Sequence, residues 1–436
     1  MTAHAQHRAA DQNYWPTTAD PAVRYPGLNG VLDCDVVVIG AGIMGLNAAL
    51  TLAESNVPVV VLEAEHVAAA ASGRNGGLVV PSLPRVGPDE VVRLLGEHFG
   101  NALVRLVAEG AQTVFDTVAQ YRMNCDAVQG GWLNPAHAAE LTAGLQARVQ
   151  AWQRAGSRAQ WLDGPTARER IGSESFHGAL FDPSGGHLNP YAYTQELARV
   201  ATQAGAKLFC ETPVLRIEPK GSRYLIHTPT GVVTARTILQ CTNARQLSPE
   251  PLSAAVARSV VPLTVFQLAT QVVPPAVRAS LLKGNEALSD TRNNLFAIRY
   301  TVDGRIVTGG MAPLSQWMAA PRLLRSLARR MERIFPQLGD VKFDFIWQGG
   351  AALTPDFLPR LFEVNRNWLA PIGCNGRGIA MTTSLGRRLA QYVITHDPAR
   401  LPLPVTAATP IKAHALARYA PQLLLPIGIV QDALRR

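Results

Sequence analysis

A chain of 436 residues, 47% apolar and 17% charged, can bury a large core, and its length suits two domains better than one. Its formal charge of +9 comes mainly from scattered arginines, and without a basic stripe interleaved with aromatics nothing marks a nucleic-acid surface. Cys34, Cys125, Cys210, Cys241 and Cys374 stand far apart with no CxxC pair, which argues against a metal site or disulfide framework and fits a reducing cytoplasm. Residues 1–32, with Pro16, Pro21, Pro26 and Gly27, read as an extended arm, and the first fifteen residues lack the apolar core of a signal peptide. No stretch reaches the ~20 uninterrupted apolar residues of a membrane span.

The next segment, residues 35–63, organises the rest. The β-branched run Val36 to Ile39 stops at Gly40-Ala41-Gly42, and Gly45 follows. An apolar helix-period stretch, Leu46 to Leu52, leads to a second β-branched run, Val57 to Leu62, that ends at Glu63. This is strand, glycine turn, helix, strand and acid, the pattern of a dinucleotide site. Gly40 permits the turn, Gly42 admits a pyrophosphate, and Gly45 lets the helix lie close on the sheet. The helix N-terminus presents free N–H groups to phosphate, and Glu63 can accept from both ribose hydroxyls. An acid at that position argues against a 2′-phosphate, hence against NADP. Ser72-Gly73-Arg74-Asn75-Gly76-Gly77 then forms a tight polar loop, able to pass under a flat ring and donate hydrogen bonds to it.

Helix-period apolar positions run from Val91 to Val118 and from Ala136 to Trp152, and both helices are expected in a second domain. Pro190 opens a helix to Ala204 with Asn189 as N-cap. A strand pair (Lys207 to Glu211 and Val214 to Glu218) and a hairpin (Tyr224 to His227 with Val232 to Ala235) follow. The buried strand Arg236 to Asn243 returns to the nucleotide sheet. Residues 246–346 are strand-rich, with a turn at Asp303-Gly304 and a helix from Arg322 to Ile334. Leu369 to Gly378 is a second glycine-rich strand-to-helix turn, whose free N–H groups suit a developing negative charge. The tail, 401–436, carries a partly amphipathic piece from Ala413 to Leu434 interrupted by Pro421 and Pro426, expected to be a packing or oligomer element.

Four segments in this order, GAGIMG…LE at 40–63, ASGRNGG at 71–77, WQGGAALTPDFLP at 347–359 and GCNGRGIAM at 373–381, resemble the FAD-dependent D-amino acid oxidase family, most of all its gamma-glutamylputrescine oxidase branch. The resemblance covers roughly residues 14–400. It implies an α/β fold: a Rossmann-like FAD/NAD(P)-binding domain of the GR2 type with a second α+β substrate domain on a mixed sheet. The expected division is an arm at 1–32, an FAD domain at 33–85, 178–245 and 346–400, a substrate domain at 86–177 and 246–345, and a tail at 401–436. FAD, bound non-covalently, is expected to contact Gly40, Gly42, Ile43, Met44, Gly45, Glu63 and Ala64. From the later segments the expected contacts are Ser72, Gly73, Arg74, Asn75, Gly76, Gly77, Val214, Thr242, Asn243, Asn375, Gly376, Arg377, Gly378 and Ile379. The implied reaction is hydride transfer from a C–N bond of a small amine to flavin N5, followed by imine hydrolysis. Oxygen or another molecule then takes the electrons.

Departures from the relatives narrow the substrate. Ala351 stands where glycine oxidases place a carboxylate-binding arginine, and Ala380 where sarcosine oxidases place a lysine. Gly349 replaces their flavin-linking cysteine, which excludes a covalent link there, and Ile306-Val307-Thr308 lacks their lysine over the flavin. Arg299, Trp347 and Gln348 are the candidates to face the substrate. The leading expectation is an amine without a free α-carboxylate. The rivals are an imino acid or D-amino acid held by a repositioned Arg299, or a flavoprotein without catalysis.

Overall fold

Val36–Ile39 is buried at all four positions, which requires a sheet covered on both faces. The computed structural model, which describes residues 12–243, 251–311 and 319–435, places it fifth in a seven-stranded sheet. The order is Val405–Thr406, Arg360–Asn365, Trp368–Ile372, Thr237–Gln240, Val36–Ile39, Val59–Leu62, Lys207–Phe209. Every neighbouring pair is parallel except Arg360–Asn365 with Trp368–Ile372.

Seven helices longer than eight residues occur among the described residues: α1 (Ile43–Glu54), α2 (Pro88–Gln120), α3 (Thr142–Arg154), α4 (Pro190–Gln203), α5 (Ala319–Ile334), α6 (Gly378–Thr395) and α7 (Ala420–Leu434). Helices α1 and α6 meet backbone to backbone, because a Cβ on Gly386 would lie 2.4 Å from the Met44 carbonyl. Asn189 caps α4 as expected, accepting from the N–H groups of Tyr191 and Ala192.

The second sheet has eight strands in the order Phe343–Leu353, Val261–Thr270, Ile306–Met311, Ala297–Tyr300, Ala287–Ser289, Trp132–Pro135, Gly178–Asp182, Gln160–Asp163. All pairs are antiparallel except Ala287–Ser289 with Trp132–Pro135. On one face Phe266, Leu268 and Ile346 pack on Leu327 of α5. On the other, Ala269, Val307 and Trp347 join the main core with α1, α2 and α6. The chain is thus α/β, with a Rossmann-like sheet and a second, mixed sheet.

Several elements differ from expectation. Lys207–Phe209 and Arg216–Lys220 are not a pair: the first edges the nucleotide sheet, the second a four-stranded sheet with the hairpin and Gly30–Asp33. Residues 132–135 form a strand, and α3 starts only at Thr142, because the Trp132–Pro135 stretch finds sheet partners on both sides. Helix α2 packs on α6 of the nucleotide half, where a Cβ on Gly110 would lie 3.2 Å from the Ala380 carbonyl. Gly178–Asp182 and Phe343–Leu353 lie in the eight-stranded sheet. On this packing we propose that α2 belongs with the nucleotide-binding part and those two strands with the other. The expected limit at 245/246 and the first eleven residues of the arm lie outside the described residues.

The described part of the arm is a clamp. Tyr14 and Trp15 are 1% exposed. The Trp15 Nε1 donates to the Asn75 carbonyl at 2.8 Å, Asn13 Nδ2 to the Gly73 carbonyl at 2.9 Å, and Tyr14 Oη to Asp303 at 2.5 Å. Trp15 also stands edge-on to Trp347 at 5.8 Å. Replacing Trp15 with Ala opens a cavity and orphans the Asn75 carbonyl, so thermal unfolding should show a loss of about 3–5 kcal/mol. Retention of stability within ~1 kcal/mol would refute the clamp.

Candidate active site

Six segments converge at the ends of the parallel strands. The Glu63 carboxylate accepts from Ala41 N at 2.8 Å and from Glu65 N at 3.0 Å, which fixes it beside the first glycine turn. Ser72 Oγ accepts from Ile43 N at 3.1 Å, joining the polar loop to the start of α1. Thr212 N donates to the Glu63 carbonyl, bringing Val214 to the same edge as Ala64. Gly40 lies against Cys241 and Thr242. Asn243 Oδ1 accepts from Gly373 N at 3.2 Å, and its amide donates to Cys374 Sγ at 3.4 Å. Residues 40–45, 63–64, 72–77, 214, 242–243 and 373–379 are thereby brought together in one crescent.

The polar loop is held from below. Its five successive carbonyls each take one donor: Asn13 Nδ2 on Gly73, Trp347 Nε1 on Arg74, Trp15 Nε1 on Asn75, Arg299 Nε on Gly76, and Leu188 N on Gly77. Inside the loop the Asn75 amide bonds the carbonyls of Ala71 and Ser72, and its Oδ1 takes Gly77 N at 2.8 Å. Among the described residues no internal acceptor engages the N–H groups of Asn75 and Gly76, which remain available to a ligand.

A flat dinucleotide fits this frame. The N-caps of α1 and α6, Gly42 and Arg377, make no side-chain capping bond, and at the α1 start only Ile43 N is taken, by Ser72 Oγ, so both helix starts keep donors for a ligand. A Cβ on Gly42 would meet Ser72 Oγ at 2.8 Å and fill the approach to α1. Asn375 turns inward and locks the second turn: Oδ1 accepts from Thr354 N at 2.8 Å and Nδ2 donates to the Gly373 carbonyl at 2.7 Å. Gly376 is exposed with φ 78°, and Ile379 is buried against the core.

The expected substrate-facing residues are placed otherwise. Arg299 is 1% exposed. Its guanidinium donates to Gly76 O (3.1 Å), Tyr300 O (2.7 Å) and Leu188 O (2.7 Å), with His187 Nδ1 at 3.4 Å, and it stacks on Trp15 at 4.3 Å. Burial, against weaker help from Tyr14 and Asp126, pulls it down to about 9. It is a tie under the loop, with no reach to a substrate. Trp347 is fully buried and holds the Arg74 carbonyl instead of walling a pocket. The Gln348 side chain alternates to the opposite face, and only its carbonyl is used, by Arg74 Nε at 2.6 Å. Ala380 faces Gly110, so its small size answers to helix packing.

Sequence reasoning missed Asn13, Trp15 and His187, which support the loop, and Arg148, which meets Arg377. The signal for the first two was the Asn13-Tyr14-Trp15 cluster in an otherwise polar arm. Arg377 stacks on Trp132 at 5.0 Å and donates to the Leu83 carbonyl at 3.4 Å. Arg148 donates to the same carbonyl at 2.7 Å and to Ser82 Oγ at 2.8 Å. No carboxylate pairs with either among the described residues, and Arg148 Nε is sealed without an acceptor. Burial brings Arg148 down to about 10, and burial with repulsion from Arg148 brings Arg377 to about 9.

The family model for FAD dependent oxidoreductases (DAO) matches residues 35–392. The chain belongs to that family. It is an enzyme, and its cofactor is FAD. It is 29% identical over 404 residues to gamma-glutamylputrescine oxidoreductase of Escherichia coli (strain K12), covering 90% of each chain. It is 30% identical over 376 residues to a probable oxidoreductase, OrdL, of Rhizobium meliloti (strain 1021), covering 85% of each. Among solved structures, glycine oxidase from Geobacillus kaustophilus superimposes with a TM-score of 0.69 at 20% identity, covering 84% of this chain and 95% of that one.

Two outcomes follow for the site. Gly42→Val should give protein that folds but purifies colourless, and wild type should release all its yellow colour on acid precipitation; a yellow variant, or colour kept in the pellet, contradicts the assignment. His187 is the second test. Its Nε2–H donates to Asn285 and its Nδ1 faces Arg299, so burial first and Arg299 second drop it from 6.5 to about 3. A histidine lowered in the folded state stabilises fully above 6.5 and loses that contribution as pH falls toward 3. By pH ~4 the loss is about 3 kcal/mol. Melting temperature should fall less steeply between those limits in His187→Gln than in wild type; parallel curves would contradict it.

Proposed function

We propose that this enzyme oxidises the C–N bond of a small amine whose anionic group is set apart from the reacting nitrogen, as in an acylated diamine bearing a carboxylate. The observation that carries the reading is the sheet face opposite the polar loop. A Cβ on Gly349 would lie 3.6 Å from Arg74 Cβ, and one on Gly76 3.1 Å from Gln267 Oε1, so that face adjoins the loop. Register pairing puts Leu263, Val265, Gln267, Met311, Gly349 and Ala351 on it, all partly exposed and none charged. Apart from Arg74 at its border, whose Nε is given to the Gln348 carbonyl, a carboxylate next to the amine would meet no cation there among the described residues, at a cost of several kcal/mol.

Bound in the crescent, FAD supplies the two-electron acceptor for hydride leaving the carbon beside the nitrogen, and the imine so formed is hydrolysed. The chain's own contribution is orientation and desolvation. The apolar face excludes water, the α1 start and Ser72–Gly77 position the cofactor, and the donors at the α6 start stabilise negative charge. Arg377 and Arg148, a cation pair with no acid beside it among the described residues, would take the distant anion. The similarity to gamma-glutamylputrescine oxidoreductase, whose name describes such a compound, supports this class. The α-amino acid reading loses its support with Arg299 committed below the loop.

Arg377→Ala should raise KM for γ-glutamylputrescine by about tenfold or more, equivalent to ~1.4 kcal/mol, while kcat and the kinetics of uncharged-tail amines change little. Glycine and D-alanine should be turned over at least about a hundredfold less efficiently. Efficient glycine turnover, or equal loss for both amine classes in the variant, would overturn the proposal.

A further inference from the structure

Helix α7 is docked along a single polar strip. A Cβ on Gly428 would lie 3.0 Å from Asn293 Cβ, and the Asp432 carboxylate accepts from Asn293 N (2.9 Å), Asn293 Nδ2 (3.1 Å) and Asn294 N (3.0 Å). Arg435 continues the strip with an ion pair to Glu140 at 3.4 Å. None of the helix is buried. Away from the strip, Leu423, Leu424, Ile427, Val430 and Leu434 are 54–75% exposed. Their one charged companion on the helix, Asp432, is turned inward to the 290–294 loop.

An apolar patch of this size on a charged protein marks a surface that is covered in use. The charges around it select the cover. Lys412 and Arg418 precede the helix and Arg435 follows it, with no acid between 410 and 431. Helix α5 grips the other side of the same loop, through Arg330 Nη2 on the Asn294 carbonyl at 2.8 Å. Along α5, Arg322, Arg325, Arg329 and Arg333 are exposed at helical spacing and make no ion pair among the described residues. In a two-fold dimer each patch faces its own copy, and the arginine rims would repel. A bilayer of anionic lipid meets both features at once. The α7 helix is too short to span: its fifteen residues reach only about 22 Å, and among the described residues no helix is long and apolar enough to cross a membrane.

We propose that α7 docks the enzyme on an anionic membrane surface, its leucine and isoleucine side chains lying at the headgroup boundary and the arginines of α5 at the lipid phosphates. The test is flotation of the FAD-loaded full chain with phosphatidylcholine vesicles, with and without phosphatidylglycerol, at low and high salt. Wild type should float with the anionic vesicles at least about tenfold better than with the neutral ones, and high salt should weaken it. Leu424→Ser/Ile427→Ser and Arg325→Gln/Arg329→Gln should each lose that binding. Both keep flavin content, melting temperature and amine turnover in free solution, because the replaced side chains are solvent-facing. Absence of binding, equal binding to neutral vesicles, or serine variants that still float would each overturn the proposal. So would light scattering that shows a wild-type dimer split by Leu424→Ser/Ile427→Ser.

Discussion

Five hydrogen bonds to five consecutive carbonyls, from Gly73 to Gly77, are the constraint on which the site depends. A glycine-rich segment has many conformations, and ordering it costs roughly 1–2 kcal/mol per residue. Fixing every carbonyl on the lower side leaves the upper side to N–H groups, and it needs no ligand to do so. The donors are unusual for a backbone: two indoles, an amide, a guanidinium and one main-chain N–H. Three of them also touch one another, with Arg299 stacked on Trp15 and Trp15 edge-on to Trp347.

This arrangement explains why a cation can be buried without a carboxylate. Arg299 exchanges water for three carbonyls, an imidazole nitrogen and an aromatic face, each of which presents negative charge to it. His187 must stay neutral beside it, which places the histidine's proton on Nε2 and ties the acid limit of stability to the same cluster. Arg148 and Arg377 are different. They share a single carbonyl acceptor and have no acid among the described residues, so the pair is incomplete there in a way that Arg299 is not.

The nucleotide half was legible in the sequence because its signals are local. Val36–Ile39, Gly40, Gly45 and Glu63 fall within one βαβ unit, and the Asn189-Pro190 cap is read from two adjacent residues. The substrate half was less legible. In sequence Arg299 is a candidate to face the substrate, because nothing near it shows that its partners are Gly76, Leu188 and Trp15. The strand at Trp132 to Pro135 carries no local signal, because its sheet neighbours come from residues 179–182 and 287–288. Ala380 carried a false message: an alanine that helix packing demands reads, without the structure, like a missing lysine.

The spacing of the loop's donors along the chain has a kinetic consequence. Gly73 and Asn75 are held by residues 60 positions earlier, whereas Gly76 waits for Arg299, 223 positions later, and Arg74 for Trp347, 273 later. During synthesis the βαβ unit can form early, but the platform beneath the cofactor closes only when most of the chain has emerged. Contacts of such sequence separation are slow to make. A nascent or truncated chain lacking residue 347 would therefore present a nucleotide cradle with an unfinished floor, and cofactor capture belongs to the last stage of folding.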